Sequence, residues 1–383
     1  MNCFCSRATR VVAIAASLLF LVAADSPSYK VVNTFKIGGE GGWDYLLADP
    51  DTHNVFISRG NHLLIINDRG QQVGDISGTE GIHGIALDHG AGKGFTSNGR
   101  SNDVTVFDLK SLKETAKIKL DGAQNPDAIL FDPATRHVFT FNGRSSNASV
   151  IDAANNTVIA TIPLDGKPET GQSDGKGMVY VNIEDKGEIQ QIDARNNKVV
   201  NTWSIKPCDE PSGLAMDQKG RRLFAVCGNK IMAVVDADNG KVVDTPAIGQ
   251  GPDAAGWDPA RKLAFSSNGR DGTVTVVHQD SPDKYSVVQT VQTEPGARTM
   301  AVDTKSHKIY LVTADFQAAA PAEGSAPTGG VSGGAPASGA PSGGVAGGVP
   351  SGGSPGAAAG QQPTRPRRTM VPGSFRVLVV SSE

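Results

Sequence analysis

Asn125-Pro126-Asp127-Ala128-Ile129-Leu130-Phe131-Asp132-Pro133 is followed by His137-Val138-Phe139-Thr140-Phe141-Asn142-Gly143-Arg144, then by Ala148-Ser149-Val150-Ile151-Asp152 and Val158-Ile159-Ala160-Thr161-Ile162-Pro163-Leu164. These are four short runs of strand-forming residues, each bounded by turn residues. Further copies begin near Gly42, Gly81, Lys167, Glu210, Gly251 and Gly296. Four strands per unit, repeating about every 40–45 residues, is the pattern of a β-propeller. The expected fold class is all-β: a seven-bladed β-propeller of four-stranded antiparallel blades.

The seventh unit has only three strands of its own: Thr299–Val302, Ile309–Val312 and Phe375–Val380. Its missing outer strand is expected from Lys30–Ile37, which has no inner strands before it. The last blade would then be closed by the N-terminal strand, which removes the exposed sheet edges.

Arg7 and Arg10 precede an apolar run from Val11 to Ala24, ending Val22-Ala23-Ala24. That is the pattern of a signal peptide, so residues 1–24 are excluded from the fold. Residues 25–383 are expected to form one propeller domain that is periplasmic or secreted, with no membrane span. Residues 317–366 are almost wholly Gly, Ala, Pro and Ser. Such a composition buries no core, so a disordered insertion within blade seven is expected.

Cys208 and Cys227 remain after cleavage. An exported compartment favours a disulfide between them, and both fall on one face of the same blade. The alternative is two buried free thiols. The formal net charge of -3 comes with dispersed Lys and Arg, which argues against a nucleic-acid partner.

Strand polarity places the start of every inner strand A at one mouth of the central channel. Those positions are Asp44, His83, Asp127, Glu169, Ser212, Asp253 and Arg298. The corners between strands B and C add Asn98-Gly99-Arg100, Asn142-Gly143-Arg144 and Asn268-Gly269-Arg270, with Arg59 and Lys230 in similar places. The expected ligand-binding residues are Asp44, His83, Arg100, Asp127, Arg144, Glu169, Asp253, Arg270 and Arg298. Arg suits bidentate recognition of carboxylate or phosphate, so a small anionic or polyhydroxylated ligand, or a protein partner, is expected. The competing reading is structural: Asn-Gly makes turns, and Arg beside Asp ties blades together.

Three motifs carry less. Gly171-Gln172-Ser173-Asp174-Gly175 matches a hydrolase elbow, but a strand and not a helix follows it. Gly38-Gly39-Glu40-Gly41-Gly42 has no helix after it and reads as a loop. His83 with Asp44, Asp127 and Glu169 could gather around a cation, but no metal ligand set and no cofactor motif is assigned. His53, His89, His137 and His307 fall at turns on the opposite face.

Val150-Ile151-Asp152-Ala153-Ala154-Asn155-Asn156-Thr157-Val158-Ile159-Ala160-Thr161-Ile162 resembles the YVTN-type β-propeller repeat. Residues 28–383, apart from the insertion, are similar to YncE-like exported bacterial propellers. The resemblance implies fold and compartment; it carries no catalytic motif. The expected protein is a monomeric, non-enzymatic propeller that binds a ligand or partner at its funnel face. The alternative is a propeller-lactonase-type hydrolase acting on a sugar lactone, with His83, Glu169 and Arg298 as base, carboxylate partner and oxyanion stabiliser.

Overall fold

The computed structural model describes residues 28–317 and 369–382. The expected signal peptide and nearly all of the 317–366 insertion lie outside the described residues.

Seven four-stranded antiparallel sheets form the ring. Blade three is representative: Pro126–Asp132, His137–Asn142, Asn147–Asp152 and Thr157–Pro163 run in order from the channel outward. The closing blade is built as expected. Lys30–Lys36 pairs antiparallel with Arg376–Ser381, which pairs with Lys308–Thr313 and then Met300–Asp303. The two chain ends are thus neighbours in one sheet. Beyond that sheet, Phe316 bridges Met370, and Gln317 N–H donates to the Thr369 carbonyl at 2.8 Å. The chain therefore leaves and re-enters the fold side by side, at the B–C corner of blade seven.

The apolar core is divided among the blade interfaces. Seven clusters are buried, each shared by two neighbouring blades. Phe95, Val104 and Val106 of blade two, for instance, pack against Ile129, Val138 and Ile151 of blade three. A period-2 strand that buries both faces between sheets explains the nearly unbroken apolar runs of strands B and C.

Polar latches add to these contacts on the face where strand A ends. His53 Nδ1 lies 2.6 Å from Asp303 of the preceding blade, and His307 Nδ1 lies 2.6 Å from Asp258. His89 Nε2 reaches Asp49 at 3.1 Å, Arg136 reaches Asp88 at 3.2 Å, and Arg221 reaches Asp174 at 3.0 Å. In blade four the same place is taken by Ser173, whose Oγ is 2.5 Å from Asp132. Ser173 is thus a blade-to-blade link at a strand-to-strand turn, and the Gly-x-Ser-x-Gly match has no helix. These contacts account for His53, His89 and His307 as structural residues.

The aspartates ending strand C cap hairpins. Asp108 accepts the Ser111 N–H, Asp152 those of Ala154 and Asn155, Asp193 those of Arg195 and Asn196, and Asp236 that of Asp238. Cys208 and Cys227 form the expected disulfide, with Cα atoms 5.5 Å apart.

Candidate functional site

Strand A is kinked where it enters the channel. In blades two to six its pairing with strand B slips in register over the first residues, as between Ile82 and Ile85 or Pro126 and Ile129. A bulge of this kind re-aims side chains. His83, Asp127, Glu169, Ser212 and Asp253 all lie inside or beside the slipped stretches.

The structure links most of these residues into a charged arc. The Arg298 guanidinium donates to Asp253 on one side and to Asp44, at 3.1 Å, on the other. His83 Nδ1 lies 2.5 Å from Asp44 and 3.6 Å from Asp127. The sequence Asp253, Arg298, Asp44, His83, Asp127 therefore crosses blades six, seven, one, two and three with alternating charge. In blade four Lys167 donates to Glu169 at 2.6 Å and also to Glu184. Ser212 adds no charge; its Oγ donates to the Pro252 carbonyl at 3.2 Å.

Tyr45 closes the channel under this arc. Its hydroxyl lies 3.1 Å from Thr170 Oγ1, so blade one reaches blade four across the axis. Below the Tyr45–Thr170 contact the channel holds a cavity of about 540 Å³, whose walls include Leu47, Leu87, Leu130 and Val302, with Gln172 as a polar group.

Burial and neighbouring charge tune these groups together. Burial, together with the nearby Asp44 and Asp253, outweighs His83 and pushes the Asp127 carboxyl up to about 6. Burial and the Asp127 charge likewise raise Glu169, against the opposing pull of Lys167. Burial raises Asp253 although Arg298 opposes it. Burial disfavours the His83 imidazolium, yet the Asp44 hydrogen bond and the Asp127 charge prevail and its pKa is raised. Tyr45 is driven well above its ordinary value by burial and by Asp253, Asp44, Glu169 and Asp127. All four carboxylates thus act on one hydroxyl at the axis.

The Asn-Gly-Arg corners divide between the rim and the blade interior. Arg100, Arg144 and Arg270 are exposed on the rim. Arg100 lies 3.7 Å from Glu80, and Arg144 and Arg270 make no side-chain ion pair with a described residue. The guanidinium interleaved with carboxylates is that of Arg298 alone. Arg59 is withdrawn further. It is 1% exposed, donates to the carbonyls of Gly38, Glu40 and Gly41, and lies 3.6 Å above the Phe375 ring. Burial lowers its pKa to about 10. The glycine-rich loop 38–42 is therefore a wrapper for a buried cation.

The Asn residues are also buried. Asn98 donates to Asp103 and Thr105 while accepting from Thr96; Asn142 and Asn268 repeat the arrangement. The glycines make room. A Cβ on Gly99 would sit 2.6 Å from His83 Nε2, and one on Gly269 would sit 2.4 Å from Arg298 Cβ. In blade four Glu184 stands where these glycines stand, and it reaches Lys167 instead.

Tyr45, Thr170, Lys167 and Glu184 were missed by sequence reasoning. The signal for Tyr45 was present: it follows Asp44 where the other units carry Gly84, Ala128, Thr170, Gly213, Ala254 and Thr299. One large residue among six small ones marks the blade that plugs the channel.

Arg298 and Lys167 are each already shared by two carboxylates. Both permanent cations of the throat are therefore engaged, while Arg144 and Arg270 on the rim make no ion pair with a described residue. His83 and Glu169 also do not meet: the first is held by Asp44 and the second by Lys167. The His83–Glu169 pair of the lactonase reading is not formed.

No protein-family model matches the chain, and no curated protein matches it. Solved structures do. Hydrazine synthase of Kuenenia stuttgartiensis superposes with a TM-score of 0.62 at 16% identity, covering 70% of this chain and 92% of that one. The WD40 β-propeller domain of Doa1 gives 0.61 at 16% identity, covering 74% and 93%. A chain of the mitotic checkpoint complex gives 0.65 at 14% identity, covering 79% and 95%. At such identities the likeness carries the fold alone: this chain is a seven-bladed β-propeller.

Proposed function

We propose that this chain is an exported, non-enzymatic propeller of the YVTN-type, YncE-like kind, and that its funnel binds a small ligand. The observation that carries the reading is the arc from Asp253 to Asp127 set over a channel that Tyr45 closes. Five blades place half-buried ionisable groups at the mouth of the channel, where desolvating charge carries a cost. Perturbed titratable groups converging in a cleft are a ligand-site pattern. The leader-like residues 1–24 and the buried Cys208–Cys227 disulfide support export.

The hydrolase reading has less support, because His83 and Glu169 are engaged with different partners. A thermal-shift panel of divalent metals, amines, organic acids, sugar lactones and polyols tests the binding reading. A ligand should raise the melting midpoint of the wild type and not that of Asp127→Ala, while Lys241→Ala, exposed and away from the funnel, should respond like wild type. A wild type that responds to nothing would refute the funnel as a small-molecule site. Cell fractionation tests export; a cytoplasmic, uncleaved protein would refute it.

A further inference from the structure

We infer that the funnel ligand is a small organic ammonium ion, a reading that rests on the funnel being a binding site. Charge leads to this class. The mouth gathers Asp44, Asp127, Glu169, Glu184 and Asp253 against two permanent cations, Arg298 and Lys167, with His83 as a third when protonated. Both permanent cations are spent on pairs of carboxylates within the ring. Inside the throat, carboxylate acceptors are left over and permanent cations are not; Arg144 and Arg270, unpaired among the described residues, stand outside it, on the exposed rim.

Asp127 is the clearest surplus group. No N–H or O–H of a described residue donates a hydrogen bond to its side chain, and its one charged contact is His83 at 3.6 Å. That imidazole is committed to Asp44 at 2.5 Å. The Asp127 side chain remains 18% exposed, so it faces the mouth and is not sealed inside. An ionised carboxylate offers about four acceptor sites. Glu169 holds the equivalent position at the start of strand A in the next blade, so both carboxylates stand at the same mouth.

The bonding pattern favours an ammonium over a metal ion. Asp44, His83 and Asp127 offer ligand atoms within 4.8 Å of one another. Metal binding there would have to take the Asp44 carboxylate from His83 and weaken its bond to Arg298. An alkylammonium needs only acceptors, and it can use Asp127, which accepts from no described donor, without breaking the arc. The directions of the two pKa shifts, at Asp127 and Glu169, fit the same picture: burial favours the protonated form of each carboxyl, and a bound ammonium favours the ionised form. Binding then releases protons.

Isothermal titration of the purified protein with 1,4-diaminobutane tests this, run beside calcium chloride, citrate and inositol at about pH 6 and about pH 8. Diaminobutane should bind more tightly at the higher pH, with proton release read from buffers of different ionisation heat. Asp127→Asn should weaken binding by about tenfold or more, as the loss of a charged hydrogen bond does, and should reduce the pH effect. Lys241→Ala should change neither. The far-UV spectrum and melting midpoint of Asp127→Asn establish that it is folded. If citrate or inositol binds and diaminobutane does not, the ammonium assignment is wrong and the funnel remains a ligand site. Calcium binding that Asp127→Asn removes, without amine binding, makes it a metal site and also overturns the assignment. If none of the four binds, the funnel reading falls with it.

Discussion

Three copies of Asn-Gly-Arg should answer differently to one change, Gly→Ala. At Gly269 the new Cβ would lie 2.4 Å from Arg298 Cβ, 2.9 Å from its Cα and 3.2 Å from its N. These are backbone and near-backbone atoms of the next blade, so the strand start itself must move. Overpacking of this kind costs about 1–3 kcal/mol, and the displaced residue is the one that pins Asp44 to Asp253. At Gly143 the nearest atoms are 3.8–3.9 Å away, on Asn125 and Lys167. That is ordinary contact, and alanine there stiffens the unfolded chain, a gain of about 0.4–1 kcal/mol. The two variants should therefore differ by about 1.5–4 kcal/mol, a separation of several degrees in melting midpoint. Gly99→Ala falls between them, because the clash at 2.6 Å is with the His83 ring, which can swing away from Asp44. Denaturant titrations followed by tryptophan fluorescence provide the comparison. If Gly269→Ala and Gly143→Ala agree within about 0.5 kcal/mol, the typical scatter for neutral surface changes, these glycines are turn residues and the space argument is wrong.

Stability should fall as pH rises across the range where Asp127 and Glu169 titrate. Both have folded-state pKa values raised above those of the unfolded chain, so their contribution is full below about pH 4. It is lost as pH climbs through about 6 for Asp127, and higher still for Glu169. Asp127→Asn should flatten that decline by about 1–3 kcal/mol, and a wild-type profile flat over this range would contradict the assignment. Asp44→Asn should lower the His83 pKa, measurable by NMR titration of the imidazole, because it removes the shared proton acceptor at 2.5 Å; an unchanged His83 titration would show that Asp44 does not set it. Cys208 and Cys227 are 19 residues apart, so reduction or Cys208→Ser should cost about 2–4 kcal/mol in denaturant stability; an unaltered unfolding curve would mean that the bridge constrains little. Deleting residues 374–383 removes the third strand of blade seven and the partner of Lys30–Lys36. The shortened chain should show a lower midpoint and a tendency to associate through open edges, and a monomer of wild-type stability would refute that expectation.

The ring was legible because its signals repeat. Alternating apolar runs, Asp at hairpin entries and Asp-Pro turns recur at a fixed period, and an error in one unit is corrected by the others. Even the closing strand Lys30–Lys36 could be placed, since a lone outer strand at one end matches a missing one at the other. The funnel was half legible. The residues at the strand A starts were named correctly as neighbours, because polarity fixes which ends share a face. Side-chain direction was not available from the repeat. Arg59 and Arg144 occupy equivalent corners, yet one is buried under a glycine loop and the other is exposed on the rim. The useful signals were the departures from the repeat. Tyr45 replaces a small residue and plugs the channel, and Glu184 replaces a glycine and captures Lys167.

Pairing Lys30–Lys36 with Arg376–Ser381 also orders events in time. Lys30–Lys36 has no partner until Arg376–Ser381 has been made, since Lys36 and Arg376 are about 340 residues apart. Bringing such distant segments together costs about 5 kcal/mol of chain entropy if the intervening residues are unstructured. Six blades assembled in between shrink that cost, because they carry the two ends around the ring to the same gap. Closure is then a late step that reports on everything before it: a blade that fails to stack leaves the ends apart, and the first strand unpaired.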